Sequence, residues 1–177
     1  MNYYRSARAG RLLPLILAPV ILAADQATKA LAVANLPPGR PQEVIGDLLR
    51  LTLVHNPAIA FSIGHSLPEQ VRRPLFLVLP LLVLVFIVVY YLRTDDLSRL
   101  QRWLLAAVLG GGLANMVDRV FRPQGVVDFV DVKFYGLFGM ERYPTFNVAD
   151  SSVVVAGILL LVTFIGAELR ASRRDTP

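Results

Sequence analysis

Two aspartates hold the most chemical promise in this chain of 177 residues. Asp128 leaves the short apolar run Val126-Val127, and Asp150 follows Val148-Ala149. Two carboxyls that share a site cannot both ionise cheaply, so one keeps a proton. Such a pair can hydrolyse a peptide. The carboxylate activates water while the protonated partner donates to the carbonyl oxygen. Taken singly, each has an ordinary reading. Asp128 alone is a turn residue. Asp150 alone is a first-turn acid that complements a helix dipole, with Asn147 at the N-cap.

Three further clusters mix polar and apolar residues in the same way. In Asp25-Gln26-Ala27-Thr28-Lys29, helical spacing puts Asp25, Thr28 and Lys29 on one face, with acid before base in the favourable order. The plain reading is a structural ion pair at a helix end. His55-Asn56-Pro57-Ala58-Ile59-Ala60-Phe61-Ser62 brings an amide able to donate and accept. A His55/Ser62 nucleophile pair lacks an orienting group and a nucleophile elbow, so His55 reads as an interfacial polar residue. Gly110-Gly111-Gly112 permits close helix packing and is no phosphate loop, because no Gly-Lys-Ser/Thr follows. Asn115, Asp118 and Arg119 follow it on one helix face, and the Arg119 fork suits nearby carboxylates.

The elements that must position these groups are membrane helices. Hydrophobic residues make up 55% of the chain and charged ones 18%, with mean hydropathy +0.55, which excludes disorder and an ordinary soluble domain. Four spans are expected, at approximately 12–35, 74–93, 102–121 and 148–169, in one polytopic domain over residues 1–177. The loops at approximately 36–73 and 122–147 are the long ones. Leu49, Leu51 and Leu53 alternate with Arg50 and Thr52, a half-buried strand, and Val126-Val127 reads as a second. The aromatics Phe134, Tyr135, Phe138 and Tyr143 suit a membrane interface. Residues 1–32 have the basic start and apolar run of a cleavable leader, but Asp25 and Lys29 interrupt the approach, so the segment reads as a retained span.

Net charge is +5 and pI about 10. Lys and Arg are scattered rather than gathered in a stripe, so they read as membrane flanks and no nucleic-acid partner is expected. Arg5, Arg8 and Arg11, then Arg93, Arg99 and Arg102, then Arg170, Arg173 and Arg174 are half of the 18 basic residues, packed into the short segments. That density places both termini and the short loop in the cytoplasm and the long loops outside. Every ionisable residue within a span then maps to the outer edge. Such residues are costly in lipid and mark function. The absence of cysteine excludes disulfides, thiolate metal sites and cysteine nucleophiles. The competing class is a small proton- or ion-coupled transporter. A pathway would need polar groups through the bilayer depth, whereas these crowd one edge.

In this order and spacing the five clusters resemble the bacterial lipoprotein signal peptidases (signal peptidase II), membrane aspartyl proteases. The resemblance runs from about Leu12 to Leu169. It rests on Asp25-Gln26 with Thr28-Lys29, Asn56 with Ala60-Phe61-Ser62, and Gly111-Gly112 with Asn115 and Asp118-Arg119. Val127-Asp128-Phe129 and Phe146-Asn147 with Ala149-Asp150 complete it. The chain departs from the family's usual glycine at Ala58 and Ala114, which bears on local backbone geometry. The resemblance implies a mainly α membrane fold: four transmembrane helices, a small extracytoplasmic β-cradle (about Glu43–Ser62 with Val126–Phe129) and a short mobile extracytoplasmic helix (about Val132–Arg142). It implies a bacterial inner-membrane peptidase whose substrate is a diacylglyceryl-modified prolipoprotein, cut just before the lipidated cysteine, in contact with membrane lipid. By carry-over, Asp128 and Asp150 are catalytic. Asn56, Asn115, Arg119 and Asn147 position the dyad or the substrate, and Asp25, Lys29 and Asp118 support the site. No metal or organic cofactor is implied.

Overall fold

The computed structural model describes residues 10–57 and 68–174. Four long helices carry the chain. Helix α1 (Leu17–Asn35) continues a 3-10 turn, Leu13–Ile16, opened by Pro14, whose fixed φ suits a helix start. Helix α2 (Glu69–Arg93) contains Pro74 and Pro80. Helix α3 (Arg99–Phe121) opens with a capping box in which Ser98 and Gln101 exchange side-chain and backbone bonds. Helix α4 (Val148–Arg174) closes the chain. Each belongs to or contains a stretch long and apolar enough to cross a membrane: 10–35, which includes the turn before α1, 74–93, 99–121 and 148–170. Leu79, Leu82, Val83 and Phe86 on α2, and Ile158, Leu161 and Val162 on α4, face outward, a surface suited to lipid.

Helix α3 is the hub. Half of its spanning window is buried, against 17% for each of the other three, and it is also the least apolar at mean hydropathy 1.4. A helix shielded by its neighbours need not satisfy lipid all round. Its three consecutive glycines make the shielding possible. Successive helical residues point about 100° apart, so Gly110, Gly111 and Gly112 face three different partners. A Cβ on Gly110 would lie 2.8 Å from the Ala18 oxygen of α1, one on Gly111 2.5 Å from the Ala149 oxygen of α4, and one on Gly112 2.6 Å from Leu84 Cδ2 of α2. The first two would strike backbone, the third a mobile side-chain tip. Gly111→Ala is therefore expected to lower the thermal unfolding midpoint in detergent more than Gly112→Ala does, by an overpacking cost of about 1–3 kcal/mol. Equal midpoints would show that α3 and α4 do not meet this closely.

A three-stranded antiparallel sheet caps one end of the bundle, in the order β1 (Gln42–Ile45), β2 (Leu49–Asn56), β3 (Val126–Val132). It corresponds to the expected cradle, except that residues 58–62 lie outside the described residues, as do Ala58, Ala60, Phe61 and Ser62. Its apolar face seats Phe129 on Ala32 and Leu36 at the end of α1, with Leu51, Leu53 and Val148 beside them. An irregularity between Leu51 and Val54 puts three steps on β2 against two on β3. Such a bulge re-aims the side chains beyond it.

The segment expected as a mobile helix has another form. After β3 the chain makes a tight hairpin whose helical content is one 3-10 turn, Leu137–Gly139. Gly136 and Gly139 take positive φ, as do Tyr135 and Phe138, which breaks any longer helix. The hairpin is tied down by the Phe134 amide on the Glu141 carbonyl and by Arg142, which donates to Asp131 Oδ1 at 2.6 Å and to Asp47 Oδ1 at 3.0 Å. The returning strand then pairs with β3, Val130 and Phe146 exchanging both backbone bonds. That pairing delivers Asn147 and the start of α4 beside Asp128.

Candidate active site

The C-terminal halves of α1 and α3, the N-terminus of α4 and the sheet meet at one end of the bundle. Asp25, Lys29, Asn115, Asp118, Asp128, Asn147, Asp150, Asn56 and Arg119 all lie there. They form two layers, one buried and one opening on a cavity.

The buried layer centres on Lys29, whose side chain is fully buried with those of Asp25 and Asp118. Its Nζ lies 2.8 Å from Asp25 Oδ2, 2.8 Å from Asp118 Oδ2 and 2.8 Å from Asn115 Oδ1. The Asp25–Lys29 contact is the i,i+4 pair read from the sequence; the other two cross from α1 to α3. Asp25 Oδ1 accepts from the Ala149 amide at 2.9 Å. It thereby satisfies one of the orphan N–H groups that open α4 and sets negative charge at the positive helix end. Asp118 Oδ2 accepts from the Val127 amide at 3.2 Å, tying β3 to α3. Breaking a buried pair by removing one partner costs about 3–5 kcal/mol. Thr28, placed on the same face by spacing, instead bonds backbone oxygens of its own helix.

The second layer lines a cavity of about 300 Å³. Asp128 and Asp150 both face it, with Asn56, Asn115 and Arg119. Asp128 is 2% exposed. Its Oδ1 accepts from Asn147 Nδ2 at 2.7 Å and its Oδ2 from Asn56 Nδ2 at 3.0 Å. Asn56 reaches it along the diagonal of the sheet, since Asp128 stands opposite Val54 and Asn56 opposite Val126. Gly125 keeps the junction close: with φ +101°, its Cβ would lie 2.3 Å from the Asn56 oxygen. Burial, and then the neighbouring Asp150 charge, push the Asp128 carboxyl up to about 7 against the opposing pull of Asn56, Asn147 and Lys29.

Asp150 plays two parts in the local structure. It is the third residue of α4, and Asn147 is its N-cap. The Asp150 amide donates to Asn147 Oδ1 at 2.9 Å, and the Asn147 amide donates back to Asp150 Oδ2 at 3.2 Å. This reciprocal box leaves Asp150 Oδ1 for Asn115 Nδ2, at 2.7 Å. The cap reading and the chemical reading of Asp150 are thus compatible. Arg119 shares the cavity wall, with the charges of Asp150, Asp128 and Asp118 acting on it.

Asp118 does not line the cavity; it belongs to the buried layer. His55 pairs with Val127 in the sheet, and Ser62, its conceived partner, lies outside the described residues. Ala114 sits fully buried in the regular helix α3, so a methyl group is accommodated there. Four residues escaped the face-by-face reading. Gln26 bridges α1 and α3, donating to Asp118 Oδ1 at 3.0 Å and the Ala114 oxygen at 3.2 Å. It projects off the Asp25–Lys29 face and reaches α3 because the helices are so close. Arg122 donates to Asp118 Oδ1 at 3.1 Å. Tyr143 and Phe146 line the cavity from the returning strand. For the α4 part of the cavity layer, the local signal in the sequence is Asn147 at the N-cap with Asp150 in the first turn.

Comparison with known proteins agrees with this geometry. The profile of the family described as Signal peptidase (SPase) II matches residues 17–166. The chain is 46% identical over 153 residues to the lipoprotein signal peptidase of Treponema denticola, covering 86% of this chain and 88% of that one. It is 42% identical over 165 residues to the lipoprotein signal peptidase of Treponema pallidum, covering 93% and 89%. A bacterial membrane enzyme structure determined in meso at 2.3 Å superposes with TM-score 0.77 at 25% identity over 93% of each chain.

Proposed function

Since this chain belongs to the signal peptidase II family, we propose that Asp128 and Asp150 are the pair with which it removes signal peptides from diacylglyceryl-modified lipoprotein precursors. Family membership makes it a multi-pass bacterial membrane protease of the aspartic type, not a transporter. The observation that carries the residue assignment is the shared cavity. Two carboxyls from β3 and α4 face it, each oxygen pair already held by amide donors.

In this reading a water lies between the two carboxyls. The ionised aspartate takes its proton as oxygen attacks the scissile carbonyl. The protonated aspartate donates to the carbonyl oxygen, giving a neutral tetrahedral diol. Collapse returns one proton to the leaving amine of the cysteine residue and breaks the C–N bond. Asn56, Asn115 and Asn147 keep the carboxyls aimed, and the Arg119 fork receives a substrate carbonyl. The apolar wall, Pro80 of α2, Gly112 of α3, and Val153 and Val154 of α4, suits the lipid-anchored segment of the substrate. Arginine density puts both termini in the cytoplasm and the site at the outer face of the inner membrane, within one domain of four spans.

The test is cleavage of a diacylglyceryl-modified prolipoprotein beside its unmodified form. Cleavage of the modified form alone, just before the cysteine, is expected; equal cleavage of both would remove the lipid from the reading. The reaction also has a predicted pH limb. The pair works with one proton, and a carboxyl with pKa about 7 holds that proton below this value and releases it above. kcat/KM should therefore fall as pH rises through about 7. A profile flat to pH 9 would contradict the assignment of Asp128 as the proton holder.

A further inference from the structure

We propose that Lys29 is a positioning residue for the reaction, acting through Asn115 to fix which atom of that amide faces Asp150. The proposal rests on reading Asp128 and Asp150 as the catalytic pair. An ammonium has three hydrogens and no acceptor. Two of those of Lys29 go to the Asp25 and Asp118 carboxylates, which already more than balance its charge. The third goes to a neutral amide in the cavity wall, Asn115 Oδ1 at 2.8 Å. Charge balance does not require that contact, but orientation does.

The Asn115 oxygen meets donors only: Lys29 Nζ, and Asn147 Nδ2 at 3.2 Å. Its nitrogen then has one place to go, Asp150 Oδ1 at 2.7 Å. Turned end for end, the amide would set its NH2 against an ammonium and another NH2, and its oxygen against a carboxylate. All three contacts would become repulsive. With Lys29 in place, Asp150 always faces a donor. Without it, the turn is opposed only by the longer Asn147 contact and by Asp150 itself, so the orientation no longer stands independently of the carboxyl it serves. Lys29 touches neither carboxyl of the pair; its charge reaches both through space, but its hydrogen-bonded path to Asp150 runs through one amide.

A purely structural lysine and a positioning lysine differ in how losses combine. Lys29→Met, Asn115→Ala and the double variant would be purified in detergent and assayed on the lipid-modified substrate, with thermal unfolding measured alongside. Each single variant should lower kcat by about 100-fold, the scale of a misplaced catalytic group, with KM within about twofold of wild type. The double variant should be no slower than the slower single, because both remove one chain of contacts. Losses that multiply, or a Lys29→Met protein with wild-type kcat, would overturn the proposal. If Lys29→Met does not fold, Asn115→Asp decides. It keeps an oxygen for Lys29 and exchanges the NH2 that faces Asp150 for a second carboxylate oxygen. It should fold and be as slow as Asn115→Ala; wild-type kcat would overturn the proposal. A wild type that leaves the lipid-modified substrate intact would instead sink the functional reading beneath it.

Discussion

Asp128→Asn and Asp150→Asn should each lower kcat by about 10,000-fold or more, the loss seen when a member of a catalytic unit is removed. The substitutions are nearly isosteric. Asparagine at 150 still offers an oxygen to the Asn147 amide, so the α4 cap persists. At 128 the change removes a buried carboxyl pushed up to about 7, so the fold loses no buried ion pair and stability should hold or rise. Both variants should accumulate in membranes at wild-type levels, bind substrate and not cut it. The double variant should be no slower than the singles, because either loss disables the pair. The measurement is single-turnover cleavage of lipid-modified prolipoprotein, with unfolding midpoints as the control. Residual activity within tenfold of wild type in either single variant would remove that residue from the pair. Asp118→Asn makes the contrast. Asp118 holds Lys29, Gln26, Arg122 and the Val127 amide and lies outside the cavity. Its loss should therefore appear first as a lowered unfolding midpoint.

Asn147→Ala should be the next most damaging change, because one side chain serves both the helix and the dyad. Its Oδ1 caps α4 by accepting from the Asp150 amide, and its Nδ2 donates to Asp128 Oδ1 at 2.7 Å. Losing the cap should cost about 1 kcal/mol, and leaving buried polar groups unpaired about 1–3 kcal/mol more. Losing a donor aimed at a catalytic oxygen should cost about 100- to 1,000-fold in kcat. Asn147→Asp separates the two. An aspartate still accepts from the Asp150 amide, so the cap survives, but it sets a third carboxyl against Asp128. That variant should keep most of its thermal stability and lose its activity. If alanine and aspartate reduce activity only in proportion to the folded fraction, Asn147 is a cap and nothing more.

Much of the molecule follows from residue types and spacing alone. Four apolar runs determine four spanning helices, since lipid leaves the backbone no partner but itself. Alternation in Leu49–Leu53 determines a strand, and i,i+4 spacing determines the Asp25–Lys29 pair. Asn147 three residues before Asp150 determines a helix start. These are local relations, governed by the periods of helix and strand, and a linear sequence displays them directly. The short helix that the resemblance implied at about 132–142 is a hairpin with one 3-10 turn, and no local relation displays it. Aromatics at 134–138 suit an interface, but the positive φ of Tyr135 and Phe138 is imposed by closure against Arg142 and the returning strand, not by their own preference.

What the tertiary structure alone decides is which distant groups meet. That three adjacent glycines serve three different helices depends on how α1, α2 and α4 surround α3. That Lys29 reaches Asp118 and Asn115 as well as Asp25 depends on the close α1–α3 contact at Gly110. That Asn56 reaches Asp128 depends on the register of β2 and β3 beyond the bulge. Gln26 enters the network for the same reason as Lys29, though its own helix face points elsewhere. In the last three cases the energy comes from burying charges and amides together. That term exists only once the chain has brought both partners out of water, so no pattern along the chain encodes it.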